Sequence, residues 1–438
     1  MQSIVPSLLI DAVRQDIDTL PTLFAGSYRF GPLSCVAAIM ALTARCLVDS
    51  YEEALDLVDE HWGQTLGWEH GPAKGGLTAA RAKLGPEPMR ELWQRQLRRA
   101  TEIIDPVLHR LPEQRRYVAI DGSWMQTPES SGVRKRWEQG GRSCRTCPQV
   151  LLVAGIEITQ RIPVAATVVG LGTGERTAAR ELLRELEPSD VLLFDRGYPG
   201  REFLGELVDG GFDFAVRMVV GAGGFPEVDE FWRSGADDAF VPIRISDQRV
   251  VPLRLVRRRF PKGRPKGDQT REPMVILTSL RDTAVYTHDT ILDLYAARWE
   301  AETFFREAKV GLQIEAFHST SPDGILQEIY AALAWLTIVA LLEHTADHQL
   351  QDVRGEQAWN DPERYTINRA QLIRLVRRNA AAFLSPNPER AAAAATAIDI
   401  GIKALARRAQ PRRPGRHFER YRKSPWGRFR SDRQKGKK

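Results

Sequence analysis

Two short apolar runs, YVAID at 117–121 and DVLLFD at 190–195, each end on an aspartate. A strand without polar alternation has no face to offer water, so such runs belong inside a sheet covered on both sides. The residue closing each run then sits at the rim of that sheet, where a carboxylate can meet solvent or a ligand. Between the two lie VLLVAGIE (150–157) and IPVAATVV (162–169), which read as a hairpin turning around Thr159–Arg161. GERTAARELLREL follows as a helix with Leu182, Leu183 and Leu186 on one side. A helix near 201–209 and the strand FDFAVRM (212–218) come next. The order is therefore β-β-β-α-β-α-β.

That order belongs to the ribonuclease-H-like fold, in which the first and fourth strands are neighbours. The expected class is α/β, with such a catalytic core interrupted by a β-rich insertion and preceded by an all-helical N-terminal domain. In the first 110 residues Val36, Ile39, Met40, Cys46, Leu47, Leu55 and Val58 recur at helical spacing, and Asp49 or Ser50 can cap the second of these helices. GPAKGG (71–76) breaks the pattern, Thr78 offers an N-cap for AARAKL, and Gly85-Pro86 precedes another helix. This helix-turn-helix pattern makes Arg81 and Lys83 candidate DNA contacts, although the same pattern is common in protein cores. Residues 219–287 carry short alternating strands (VPIRI, VPLRLV, PMVILTS) and the basic turn PKGRPKGDQTRE, and two long helices are expected at 288–316 and 322–349. The expected division is 1–112 helical and DNA-binding, 113–218 first catalytic part, 219–287 β-rich insertion, 288–385 remaining catalytic part, and 386–438 terminal helix with a basic tail.

Charge separates the chain's end from its body. Residues 403–438 hold 15 Lys and Arg against Glu419 and Asp432, a net +13, while 47 basic and 54 acidic residues leave the remainder at −7. Arg412, Arg413, Arg416, Arg420 and Arg422 interleave with Phe418, Tyr421, Trp426 and Phe429. That mixture suits phosphate contact with base stacking, or else a solubilising extension. Four cysteines without a disulfide framework fit a reducing compartment, and Cys144-x2-Cys147 is half of a zinc site with no second pair beside it. The N-terminus lacks the basic-then-apolar order of a signal peptide, and the longest apolar run, Ile329 to Leu342, has 14 residues, too few to span a bilayer. A cytoplasmic protein, nucleoid-associated when on DNA, is expected.

If the strands of Asp121 and Asp195 adjoin, the two carboxylates stand close enough to repel unless a hard cation lies between them, as Mg²⁺ or Mn²⁺ would. Either aspartate alone reads equally well as a turn residue, since DGS at 121–123 is good turn chemistry. The third element is YAARWEAETFFREAK (295–309). At ~100° per residue on a continuous helix, Tyr295, Arg298, Glu302 and Lys309 fall within about 60° of one another, beside an apolar arc of Leu294, Ala301, Phe305 and Leu312. A structural Arg–Glu pair one turn apart is the plain alternative.

Tyr295-x2-Arg298-x3-Glu302-x6-Lys309 resembles the Y-(2)-R-(3)-E-(6)-K signature of the bacterial insertion-sequence-four family of DDE transposases. DGSWMQTPES (121–130) resembles the family's first-aspartate segment, and LLFDRGYPG (192–200) its second. GERTAARELL, TAARAKLGPEPM and SPDGILQEIYAALAWL resemble other family segments, in the family's order, from about residue 30 to the basic end. The resemblance implies a metal-dependent enzyme that cleaves and joins DNA at the ends of an insertion sequence. Asp121, Asp195 and Glu302 would be its catalytic, metal-binding acids with two Mg²⁺ (or Mn²⁺) ions. Tyr295, Arg298 and Lys309 would grip phosphates. Arg196 is a further candidate DNA contact, and Trp299, beside the stripe, or Trp124, after the first acid, reads either as a stacking platform for an unpaired base or as a core residue. Its partners would be double-stranded terminal inverted repeats, target DNA and a second copy of the chain. A ribonuclease-H-fold nuclease without strand transfer, or a domesticated DNA-binding protein, are the alternatives.

Overall fold

The computed structural model describes residues 6–20, 32–44, 50–66, 73–108, 112–138, 147–258, 274–354, 365, 367–385 and 387–409. Cys144, the whole basic turn at 261–272 and most of the basic tail lie outside them. The chain divides into two compact units. One comprises Ile103–Trp124 and Leu151–Phe305, the other Met1–Glu102, Met125–Val150 and Arg306–Lys438.

The first unit is built on a sheet of eight strands in the order β3-β2-β1-β4-β5-β8-β7-β6. The strands are β1 (Tyr117–Gln126), β2 (Gln149–Glu157), β3 (Ile162–Val169), β4 (Val191–Phe194), β5 (Asp213–Met218), β6 (Asp238–Ser246), β7 (Arg249–Arg257) and β8 (Val275–Thr278). β1, β4 and β5 run parallel in succession, and β2 pairs antiparallel with β3. That is the ribonuclease-H-like arrangement, and the fold class is the mixed α/β one expected. The apolar runs read from the sequence are the buried centre: Tyr117 to Ile120 and Val191 to Phe194 are all without solvent exposure. Beneath them Phe194 meets Phe203 edge-on at 5.3 Å, and the helix Arg201–Asp209 buries Phe203, Leu204 and Leu207. β8, β7 and β6 continue the same sheet antiparallel beyond β5. Arg254 on β7 is only 1% exposed and gives a two-toothed contact to Asp238 on β6.

β1 is longer than its apolar half. It runs through Asp121-Gly122-Ser123 to Gln126, so this segment is strand and not the turn that its composition equally allows. Two short helices, Ser131–Trp137 and Pro226–Ser234, had no counterpart in the reading of the sequence.

The second unit is helical. Its N-terminal part contains helices Pro6–Asp18, Pro32–Ala44, Tyr51–Leu66 and Lys74–Leu84, with the start of Glu87–Leu108. Ser50 caps the third of these through the Glu53 amide at 3.2 Å. Thr78 is not an N-cap: its helix begins at Lys74, and its hydroxyl donates back to the Lys74 carbonyl at 3.2 Å. Gly85 ends that helix at φ 66°, a left-handed conformation that glycine adopts without a Cβ penalty. Asp16 ties the first helix to the fifth, accepting from Gln96 at 2.7 Å and from both sides of the Arg99 fork. The helix Pro322–Arg354 is the spine of this unit. Its stretch Pro322–Leu350 is, by length and composition, apolar enough to cross a membrane, but it is mostly buried within the protein, and Trp335 donates to the Met40 carbonyl at 2.9 Å.

One expectation needs correction here. The segment 288–316 is not a single helix. His288–Ala297 and Trp299–Arg306 are separated at Arg298, whose amide bonds the Tyr295 carbonyl three residues back at 3.1 Å. A π-helical turn then follows at Glu307–Gly311, closed by the Leu312 amide on the Glu307 carbonyl five residues back at 3.0 Å. One tightened and one widened turn shift the angular register assumed for a uniform helix.

Candidate active site

Ile120 on β1 is in register with Phe194 on β4, so Asp121 and Asp195 are the next residues, at the carboxyl end of the parallel pairing, where β1 runs on past β4. Such strands stand about 4.8 Å apart, and open α/β sheets bind ligands at this rim. Each aspartate is braced by a following glycine. The Gly122 amide donates to Asp121 Oδ1 at 2.9 Å, and the Gly197 amide to Asp195 Oδ1 at 2.7 Å. A side chain at Gly197 would press its Cβ to 3.0 Å from that same carboxylate oxygen.

Arg298, at the break between two helices, faces this pair. Its Nη1 lies 3.8 Å from Asp121 Oδ2, and its Nη2 donates to Glu302 Oε1 at 2.9 Å. The guanidinium carbon is 5.9 Å from the ring centre of the buried Tyr295, and Nε is buried without a hydrogen-bond partner. Arg298 therefore forms a cationic bridge between the first and third predicted acids. Burial pushes the Asp121 carboxyl up to about 6; Arg298 pulls it down, and Asp195 and Glu302 add to the rise. Burial also raises the Tyr295 phenol, to about 12.

Two further residues share the cluster, and neither was singled out from the sequence. Glu175 opens the helix Glu175–Leu182, and its Oε1 and Cγ lie 3.1 Å from where a Cβ at Gly122 would stand. Its carboxyl is raised by burial, then by Asp121 and Asp195. Tyr198, in the loop after β4, is fully buried, and its hydroxyl has no hydrogen-bond partner. Burial raises that phenol, with Glu175, Asp121 and Asp195 adding to the effect. Arg176 holds the loop from the other side, donating to the Gly197 and Pro199 carbonyls at 3.2 and 3.3 Å. An acid in the first turn of a helix is ordinary capping chemistry, so nothing local marks Glu175. The aromatic in DRGY was visible; its burial was not.

The remaining predicted residues are placed as follows. Arg196 and Lys83 are exposed, Trp299 is 56% exposed and Trp124 37%. Lys309 lies in the π-helical turn of the helical unit, with Nζ 3.2 Å from Glu315. Arg81 is corrected. It is 4% exposed and spends its guanidinium on Glu328 (2.9 Å), Gln327 (2.9 Å), the Gly324 carbonyl (2.8 Å) and the Tyr51 hydroxyl (2.7 Å). Burial would raise the Glu328 carboxyl, but Arg81 and His318 outweigh it and hold the group down at about 2. A guanidinium committed to that buried set has no fork left for a phosphate.

The donor chemistry at the strand ends is all carboxylate oxygen, which suits a hard divalent cation, and the crowding of negative charge around the half-buried Asp121 would be relieved by one. Among the described residues, no three His, Cys, Asp or Glu side chains already form a group closed around one point. Glu302 is instead engaged by Arg298, so the acids fit the ion in kind, and bringing in the third requires Arg298 to release it.

The family described as "Transposase DDE domain" matches residues 112–338. The transposase InsG for insertion sequence element IS4 of Escherichia coli (strain K12) is 26% identical over 239 residues, covering 51% of this chain and 51% of that protein. The match thus spans about half the length of that curated relative. A cryo-EM structure of a piggyBac transposase synaptic complex with hairpin DNA aligns over 87% of this chain and 78% of its own, with a TM-score of 0.43 and 11% identity. This chain belongs to the transposase DDE domain family.

Proposed function

We propose that this chain is the transposase of a DNA insertion sequence. It binds the element's terminal inverted repeats, cuts the DNA there and joins the freed end to target DNA, acting as a homodimer in the synaptic complex. The observation that best supports this reading is the placement of Asp121 and Asp195 at adjoining strand ends, with Arg298 reaching from Asp121 to Glu302. Two Mg²⁺ ions (or Mn²⁺) held by Asp121, Asp195 and Glu302 would activate a water or 3′-hydroxyl and stabilise the leaving oxygen.

The chain's own residues do the positioning. Arg298 neutralises the acids while no substrate is present; on DNA it turns its fork to a phosphate near the scissile bond and frees Glu302. A guanidinium grips two phosphate oxygens at once, which an ammonium cannot. Tyr295 backs that guanidinium, and Lys309, Arg196 and Lys83 contribute phosphate contacts. The exposed Trp299, or Trp124, stacks on an unpaired base.

The test is single-turnover cleavage and joining, with Mg²⁺, of a duplex carrying the element's own end. Asp121→Ala, Asp195→Ala and Glu302→Ala should each abolish cleavage while end binding persists; cleavage retained in one of them removes that residue from the site. Arg298→Lys should slow the reaction by on the order of 10- to 100-fold, as loss of a charge-assisted two-toothed contact would. Cleavage by the unaltered chain without any joining would favour a nuclease.

A further inference from the structure

We propose that Glu175 is a fourth carboxylate of the cation-binding cluster, and that the buried Tyr198 hydroxyl donates to that cluster once a cation is bound. The proposal rests on the three-acid reading above and extends it to residues outside the three acids. Its basis is placement. Gly122 directly follows Asp121, and the Glu175 carboxylate lies so close over its Cα that any Cβ there would meet Oε1, Cγ and Cδ at 3.1 to 3.2 Å. Asp121, Asp195 and Glu175 each act electrostatically on Tyr198, whose hydroxyl is wholly buried and has no hydrogen-bond partner among the described residues. A buried hydroxyl that no described residue satisfies costs stability and persists where a further group completes the site.

The simple alternative is that Glu175 only complements the amino end of its helix, where an acid is favourable. That role asks for no more than a place in the first turn. It does not call for a glycine at 122 to admit the carboxylate, nor for an unpartnered phenol beside it. Arg176, the next residue, staples the loop that carries Asp195 and Tyr198, so the same helical turn that presents Glu175 also fixes the second aspartate.

The discriminating experiment needs no DNA. Mn²⁺ binding to the full chain is measured by calorimetry and by the electron paramagnetic resonance signal of free Mn²⁺, with melting curves recorded in EDTA. Glu175→Gln should weaken Mn²⁺ binding at least about tenfold, since losing a charged donor lowers affinity, and Glu175→Asp should restore part of it. In EDTA the Gln variant should melt no lower than the parent, because a carboxylate crowded by two others has been removed. Tyr198→Phe should weaken Mn²⁺ on the order of tenfold, as loss of an outer partner does, with no fall in the EDTA melt. Mn²⁺ affinity unchanged in Glu175→Gln while Asp121→Asn loses it would overturn the fourth-carboxylate assignment alone. A lowered EDTA melt with unchanged Mn²⁺ affinity would make Glu175 a helix cap. If Asp121→Asn binds Mn²⁺ like the parent, the three-acid reading falls and Glu175 falls with it.

Discussion

Asp121 is the residue on which the most opposing forces converge. Burial and two neighbouring acids favour its neutral form, Arg298 its charged form, and burial wins: the carboxyl titrates at about 6 against 3.8 for the unperturbed side chain. Between these values the folded chain holds a proton that the unfolded chain has released. The stability this contributes is therefore complete below about pH 4 and is lost as pH rises through about 6. A shift of that size corresponds to on the order of 3 kcal/mol. In metal-free buffer the parent chain should gain stability as pH falls from 7 toward 5, and Asp121→Asn should lack that component and melt higher at pH 7. Denaturant midpoints of the two proteins across this range check it. Equal pH slopes would mean that Asp121 is solvated in solution.

At the scale of helices and strands, Arg81 offers the sharpest prediction. The helix-turn-helix pattern around it suggested a DNA contact, but its partner Glu328 lies 247 residues further along the chain. Arg81→Leu leaves that carboxylate buried without its cation, which should cost about 3–5 kcal/mol. Lys83→Ala, on the exposed face, should stay within about 0.5 kcal/mol. Urea unfolding of both variants checks this; a normal midpoint for Arg81→Leu accompanied by lost DNA affinity would restore the contact reading. The same contrast explains what was legible beforehand. β2, β4 and the first half of β1 could be read because a doubly covered strand must be apolar throughout, and that is a local property. The break at Arg298 and the π-helical turn at Glu307 were not readable, since they change hydrogen-bond register without changing the polar and apolar pattern. The three candidate acids were picked out by spacing and family resemblance. Glu175 and Tyr198 were not, because their nearness to Asp121 arises only when β1, β4 and the helix at Glu175 come together.

For the molecule as a whole, charge is divided between a body at −7 and a terminal stretch at +13. An acidic body approaches DNA against repulsion, so the arginine-rich end should provide much of the long-range attraction. Deleting residues 403–438 should weaken DNA binding and flatten its salt dependence, because fewer counterions are released per complex. The plot of log affinity against log salt checks this, and an unchanged slope would leave the tail only a solubilising role. The sheet carries a different lesson. β6, β7 and β8 lie between the second and third predicted acids in sequence, yet β8 is hydrogen-bonded to β5 along Ala215 to Met218. Such a segment is not a detachable cassette. Excising it would strip β5 of a partner and leave an open, apolar edge that invites aggregation. Changes of length are thus tolerated best in the far hairpin of β6 and β7, where strands can lengthen without exposing the seam, and a chain lacking the whole segment would need a new border for this sheet.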